Sequence, residues 1–156
     1  MIVVGVDGSR GSREALQWAI AEARLRDVPL RAVHAWTYIQ PTLPSLVGYP
    51  YSAESVDFTI DDRRQAAMQT LERATSDDFG AMQDIEIERQ LGEGSAAQVL
   101  IDAVGDDDLL VVGSRGHGGF TSLLLGSVSQ QCAQHAPCSV VIVRAATGST
   151  TPEGVS

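Results

Sequence analysis

The chain reads Leu109-Leu110-Val111-Val112-Gly113-Ser114-Arg115-Gly116, and Gly126-Ser127 follow after nine intervening residues. The apolar run predicts a buried strand that leads directly into a glycine-rich loop. Residues 128–134 are compatible with a helix, which Ser127 is expected to cap unless its hydroxyl meets a ligand oxygen. Glycine lets a backbone approach an anion closely, and a helix N-terminus presents free N–H groups at a positive dipole end. Strand, glycine loop and helix in this order are therefore typical of a phosphate site.

Strands and helices alternate along the rest of the chain. Predicted strands cover residues 2–7, 30–36, 85–91, 109–112 and 139–143. Predicted helices cover residues 9–26, 57–79, 95–104 and 127–135. This alternation predicts an α/β fold, an open five-stranded parallel sheet with helices on both faces. Ligands of such sheets bind at the carboxyl ends of the strands, where the strand order reverses, so the glycine loop and Asp7 are expected to meet there.

Composition excludes several classes of function. The 156-residue chain fits one domain, and all eleven basic residues are arginine, so lysine-dependent phosphate sites and Schiff-base chemistry are excluded. A net charge of −9 argues against nucleic-acid binding and against anionic membrane surfaces. No apolar run approaches the roughly 20 residues that span a bilayer. The chain begins with a predicted strand, so we expect no signal peptide and a cytoplasmic location.

The two cysteines predict no metal site. Cys132 and Cys138 stand six residues apart, one on a predicted helix and one at the start of a strand. A structural metal site needs more ligands at closer spacing. We expect both to be reduced structural thiols.

Three segments resemble the universal stress protein family. Residues 4–9 are similar to the first strand of the family with its aspartate, and residues 33–35 match the end of its second strand. Residues 113–129 match the family's ATP signature, G-x2-G-x9-G-[S/T], without a gap. The resemblance covers residues 1–144, which are expected to form one Rossmann-like domain of the adenine nucleotide alpha hydrolase type. Residues 145–156 are expected to be a disordered tail.

The resemblance implies that the chain binds ATP, with Mg²⁺, and forms a homodimer through strand 139–143. Around the base and sugar it implies contacts from Val6, Asp7, Ala35 and Val112. Along the ribose and phosphates it implies contacts from Gly113, Gly116, Gly126, Ser127, Val128 and Ser129. Asp7 is also the implied metal contact. Arg115 joins this set because phosphate charge calls for a cation and Arg115 lies inside the loop.

Simpler interpretations stand beside these roles. Asp7 could only cap the following helix or turn, and the glycines could only serve tight turns. An Asp-x-Asp phosphatase site is excluded because Gly5 stands where the nucleophilic aspartate would be needed. His117 is expected to be a solvated loop residue, His34 a packing residue, and residues 106–108 a solvated turn.

The sequence thus predicts an ATP-binding regulatory protein of the stress response whose nucleotide-bound state is recognised by an unidentified protein partner. No strong nucleophile–base pair is evident, so fast catalysis is not expected. The alternatives are a slow ATPase or nucleotide hydrolase, a binder of cyclic or monophosphorylated adenine nucleotides, and a ligand-free dimeric interaction module.

Overall fold

A computed structural model describes residues 1–37, 53–76, 85–117 and 125–145. The strands are β1 (Ile2–Gly5), β2 (Leu30–Trp36), β3 (Ile87–Glu93), β4 (Leu109–Gly113) and β5 (Ser139–Val143). The helices are α1 (Arg10–Arg26), α2 (Ala53–Ala74), α3 (Ala96–Asp102) and α4 (Ser127–His135). The tail was predicted for residues 145–156, and all of it after residue 145 lies outside the described residues.

The five strands form one parallel sheet in the order β3-β2-β1-β4-β5, which confirms the predicted fold class. β1 lies at the centre and pairs with β2 on one side and β4 on the other, with Val4 opposite both Ala32 and Val111. The chain runs outward from β1 to β3 and then returns to β4. The strand order therefore reverses at the carboxyl ends of β1 and β4, where the fold class places a ligand.

Two apolar clusters cover the two faces of the sheet. Alternate residues of β1 divide between them because side chains of a strand point to opposite faces: Val4 packs with α1 and α2, and Val3 packs with α3 and α4. The inward face of α1 is buried as its helical spacing predicts, with the residues Ala15, Leu16, Ala19, Ile20 and Ala23. β1 is thus buried on both faces, as its continuous apolar sequence predicts.

Helix α2 and strand β3 differ from their predicted bounds. The helix ends at Ala74 rather than at residue 79. Thr75, which is 2% exposed, donates its hydroxyl to the Leu71 carbonyl and accepts a hydrogen bond from Arg89 on β3. This contact between Thr75 and β3 fixes the end of the helix. The spacing of apolar residues along the helix does not reveal such a contact. β3 runs to Glu93 rather than to residue 91 because its pairing with β2 continues to Trp36.

The described helices carry no membrane-spanning signal: none of them combines the length and the apolar character that a bilayer crossing requires.

Candidate functional site

A pocket of about 320 Å³ lies at the carboxyl edge of the sheet, beside the first turn of α4. The structure brings all eleven residues of the predicted nucleotide site into its lining: Val6, Asp7, Ala35, Val112, Gly113, Arg115, Gly116, Gly126, Ser127, Val128 and Ser129. The lining also includes residues that the predicted site lacks: Gly5, Ser12, Val33, His34, Ala96, Leu100 and His117. Segments that are more than a hundred residues apart in the chain therefore share one pocket.

The lining from α3 and from the neighbouring strands is mainly apolar. Leu100 and Val112 belong to the apolar cluster under α3 and α4, and Ala35 packs against it. Leu100 leans over β1: a Cβ atom added to Gly5 would lie 2.9 Å from its Cδ1 atom. An aromatic base would find apolar contacts here, whereas the loop after β4 and the start of α4 supply glycine and polar groups.

The turn between β1 and α1 holds Asp7 in a fixed place. Its carboxylate Oδ1 accepts the Ser9 N–H at 2.9 Å, and its own N–H donates to Ser12 Oγ at 3.3 Å. Gly8 follows with φ at +80°, a conformation that favours glycine. Asp7 thus does cap the turn that leads into α1, through Oδ1. Its carboxylate is half-buried and still lines the pocket.

The pKa of the Asp7 carboxyl lies below its ordinary value of 3.8. Burial raises this pKa, but the hydrogen bonds from Ser9 and Ser12 and the charge of His117 lower it further than burial raises it. Because the folded pKa is the lower one, the stability gained from these contacts is present above about pH 4 and is lost as the pH falls through the folded value. Asp7 is therefore a carboxylate at neutral pH.

The three glycines of the signature differ in how closely the protein surrounds them. A Cβ atom on Gly113 would lie 2.7 Å from the backbone of Gly11, and one on Gly116 would lie 2.6 Å from Asp7 Oδ2. These two glycines let the loop pack on α1 and on Asp7. A Cβ atom on Gly126 would meet only ordinary contacts at 3.5 Å. Those contacts are with the backbone of Ser114 and Arg115, so Gly126 faces the loop without strain, whereas a larger side chain would crowd the loop.

Within the described residues, no side chain caps the first turn of α4. Ser9 and Ser95 cap α1 and α3 with their hydroxyls, whereas the N-cap of α4 is Gly126, which makes no side-chain hydrogen bond. The expectation that Ser127 caps this helix is wrong, because Ser127 is the first residue inside it. Ser129 is buried, and its hydroxyl donates to the Gly126 carbonyl at 2.9 Å. The helix therefore offers its first backbone N–H groups to an anion.

The pocket has two histidines and one arginine in its lining. Arg115 is exposed, and His34 Nδ1 lies 2.7 Å from the Val6 carbonyl oxygen. His117 is exposed, as expected of a solvated loop residue. Its Nε2 also lies 2.9 Å from the Asp7 carbonyl oxygen, a contact across 110 residues that the sequence pattern does not reveal.

The cysteines and acidic residues form no second site in the described part of the chain. Both thiols are free, and burial, with a smaller effect of Cys138, raises the pKa of Cys132 to about 11, which leaves it protonated and unreactive at neutral pH. Among the described residues, no group of three or more metal-ligating side chains is present. Asp7 is the carboxylate in the pocket lining.

Sequence comparison identifies relatives in species of Mycobacterium and Mycolicibacterium. The model of the universal stress protein family matches residues 1–144. A universal stress protein of Mycobacterium tuberculosis is 36% identical over 144 residues, which are 92% of this chain and 47% of the relative. One of Mycolicibacterium smegmatis is 34% identical over 142 residues, 91% of this chain and 47% of the relative. The chain thus spans about half the length of the curated relatives that it matches.

Solved structures of universal stress proteins share the fold. UspA from Lactobacillus plantarum aligns with a TM-score of 0.65 at 20% identity, covering 92% of this chain and 96% of that one. An Arabidopsis thaliana family member with AMP bound gives 0.57 at 20% identity, covering 97% and 94%. A family member in complex with cAMP gives 0.54 at 24% identity, covering 93% and 97%. The family model matches residues 1–144 of the 156 residues, so the chain belongs to the universal stress protein family.

Proposed function

We propose that this chain binds an adenine nucleotide, with ATP as its ligand, and acts in a stress response through its nucleotide-bound state. The observation that carries the proposal is the first turn of α4, which lacks a side-chain cap and opens on the same pocket as Asp7 and an apolar wall. Free N–H groups suit the phosphates, the apolar wall suits the base, and the carboxylate suits the ribose hydroxyls or a metal. The AMP and cAMP that structural relatives hold support the adenine class.

The pocket also fits Mg²⁺ as a companion of ATP. Mg²⁺ is usually held by one or two carboxylates together with substrate phosphates and water rather than by a full set of protein ligands. Asp7 is ionised at neutral pH and lines the pocket, so it would be the protein ligand for such an ion. When bound, Mg²⁺ would neutralise phosphate charge in a protein whose net charge is −9.

A purified sample tests the proposal directly. Mass spectrometry of the nucleotide released on denaturation should find ATP, and calorimetry should give affinities in the order ATP, ADP, AMP, since each added phosphate gains contacts with the loop and α4. Equal or tighter binding of AMP or cAMP would instead favour the monophosphate alternative, to which the relatives' ligands point. Accumulation of ADP over time in the ATP complex would favour the slow hydrolase.

We further propose that β5 pairs with its copy in a homodimer. It is one of the two edge strands of the sheet, and its residues 140–143 are all apolar. Each of these apolar residues is only half-buried in the single chain. An exposed apolar strand edge tends to pair with another strand, which would cover it. A nucleotide-dependent change at the loop would reach this surface, because the Ser114 N–H donates to the Val143 carbonyl at 2.7 Å.

Replacing Ile142 with glutamate should give a monomer or insoluble protein, because a strand that pairs with its copy would have to bury the charge on its apolar face. Analytical ultracentrifugation at micromolar concentration measures the state. Ile142 also packs against the cluster under α3 and α4, so the control is Ile142→Val, which should cost only about 1 kcal/mol and stay dimeric. A wild-type protein that sediments as a monomer would count against the dimer.

A further inference from the structure

The glycine loop is attached to the rest of the pocket through a short series of contacts. On one side, the Ser114 carbonyl accepts the Gly126 N–H at 2.7 Å. On the other side, the backbone of Arg115 packs against Gly11, and the Cα atom of Gly116 packs against the carboxylate of Asp7. These packing contacts are non-directional, whereas a hydrogen bond also fixes orientation.

His117 adds a directional contact at the end of this series. Its Nε2 lies 2.9 Å from the carbonyl oxygen of Asp7. Within the described part of the loop, it is the side chain that hydrogen-bonds to the turn between β1 and α1. A carbonyl oxygen only accepts hydrogen bonds, so Nε2 must carry the proton. The ring therefore donates to the backbone of the residue whose carboxylate lines the pocket.

The preceding carbonyl in the same turn is held in a similar way. His34 Nδ1 lies 2.7 Å from the Val6 carbonyl oxygen, so its proton must be on Nδ1. Two successive carbonyls after β1 are thus held by two imidazoles, one from β2 and one from the loop after β4. The two rings have opposite tautomers, and this difference can be measured.

We propose that His117 is a positioning residue: its imidazole fixes the glycine loop on Asp7 and thereby places the loop for the nucleotide's phosphates. The inference rests on the proposed nucleotide site, and it assigns to His117 a role as a neutral donor to the backbone rather than as a cation that touches phosphate. The distance supports this role, because the ring nitrogen that donates is already committed to Asp7.

Two substitutions separate the role of the donor from that of the charge. His117→Ala removes the donor and should weaken ATP binding about three- to tenfold, the range expected for one net hydrogen bond. It should change adenosine binding little, because adenosine has no phosphate for the loop to hold. His117→Gln keeps an N–H donor at similar reach without a charge and should restore ATP affinity to within about twofold of the wild type. His117 is exposed, so both variants should melt near the wild-type temperature. His135→Ala, at the exposed end of α4, is the matched control.

Nitrogen NMR tests the contact without any nucleotide. The chain has three histidines, which single substitutions assign. At a pH where the rings are neutral, His117 should show the Nε2–H tautomer and His34 the Nδ1–H tautomer. An Nδ1–H signal at His117, or equal losses of ATP affinity in His117→Ala and His117→Gln, would overturn the proposal, as would unchanged affinity in His117→Ala. A wild type that binds no nucleotide would overturn the proposed function, whereas a wild type that binds ATP together with unchanged affinity in His117→Ala would overturn the role of His117 alone.

Discussion

Replacing Gly126 with valine should abolish measurable ATP binding while the fold survives. Gly126 is the N-cap of α4, with φ at −73° and ψ at 163°, an extended conformation that any residue adopts. A Cβ atom there would lie 3.5 Å from the backbone of Ser114 and Arg115, so the two further methyl groups of valine would crowd the glycine loop and move it away from the first turn. Losing two charge-assisted hydrogen bonds of about 1.5–3 kcal/mol each would lower the affinity by more than about a hundredfold.

Other glycines of the chain supply the controls. Gly105→Ala lies in the turn before β4, at the opposite edge of the sheet, and the added Cβ atom would be 3.8 Å from Asp108. It should leave ATP affinity unchanged. Gly113→Ala is a poor probe, since its Cβ atom would lie 2.7 Å from Gly11 and would displace the loop. Isothermal titration calorimetry and thermal melting of each variant decide the matter: unchanged ATP affinity in Gly126→Val would show that the loop is not the phosphate site.

Much of this fold follows from local sequence patterns. The bounds of β2, α4 and β5 were predicted to the residue, because an apolar run or a helical stripe ends at those positions of the sequence. The position of the pocket also followed from the sequence, since a parallel sheet with alternating helices has only one edge at which its strand order reverses. Residues that follow β1, β2 and β4 could therefore be assigned to one site before any distance was known.

The remaining features depend on contacts between distant segments, which periodicity does not report. Leu100 enters the pocket because α3 crosses the sheet close enough to touch Gly5, and a helical stripe predicts only that it is buried. His117 reaches Asp7 across 110 residues. The signature gives Gly113 and Gly126 equal weight, yet a Cβ atom on Gly113 would collide with α1, whereas one on Gly126 would meet only ordinary contacts. Close approach of backbones is a three-dimensional property that a spacing rule does not contain.

Removing the carboxylate of Asp7 should weaken ATP binding about tenfold to a hundredfold, the equivalent of a charge-assisted hydrogen bond of about 1.5–3 kcal/mol. The same change should lower the free energy of unfolding by about 1 kcal/mol, because Oδ1 also accepts the Ser9 N–H at the start of α1. The capping and binding roles are thus combined in one side chain, and Asp7→Ala removes both. Chemical denaturation and calorimetry on this variant measure the two losses separately.

Two further variants assign the loss to one role or the other. Ser9→Ala removes the hydroxyl that caps α1 and that also hydrogen-bonds to Asp7, but it keeps the carboxylate, and Ser9 does not line the pocket. It should therefore cost stability and keep most of the ATP affinity. Asp7→Asn keeps an oxygen for the Ser9 N–H but removes the charge, so it should retain stability and lose affinity. Titrating each with and without Mg²⁺ locates the contact: a loss seen only with Mg²⁺ places Asp7 on the metal, and an equal loss in both conditions places it on the nucleoside. Unchanged affinity in Asp7→Ala under both conditions would remove Asp7 from the binding site and leave it the capping role alone.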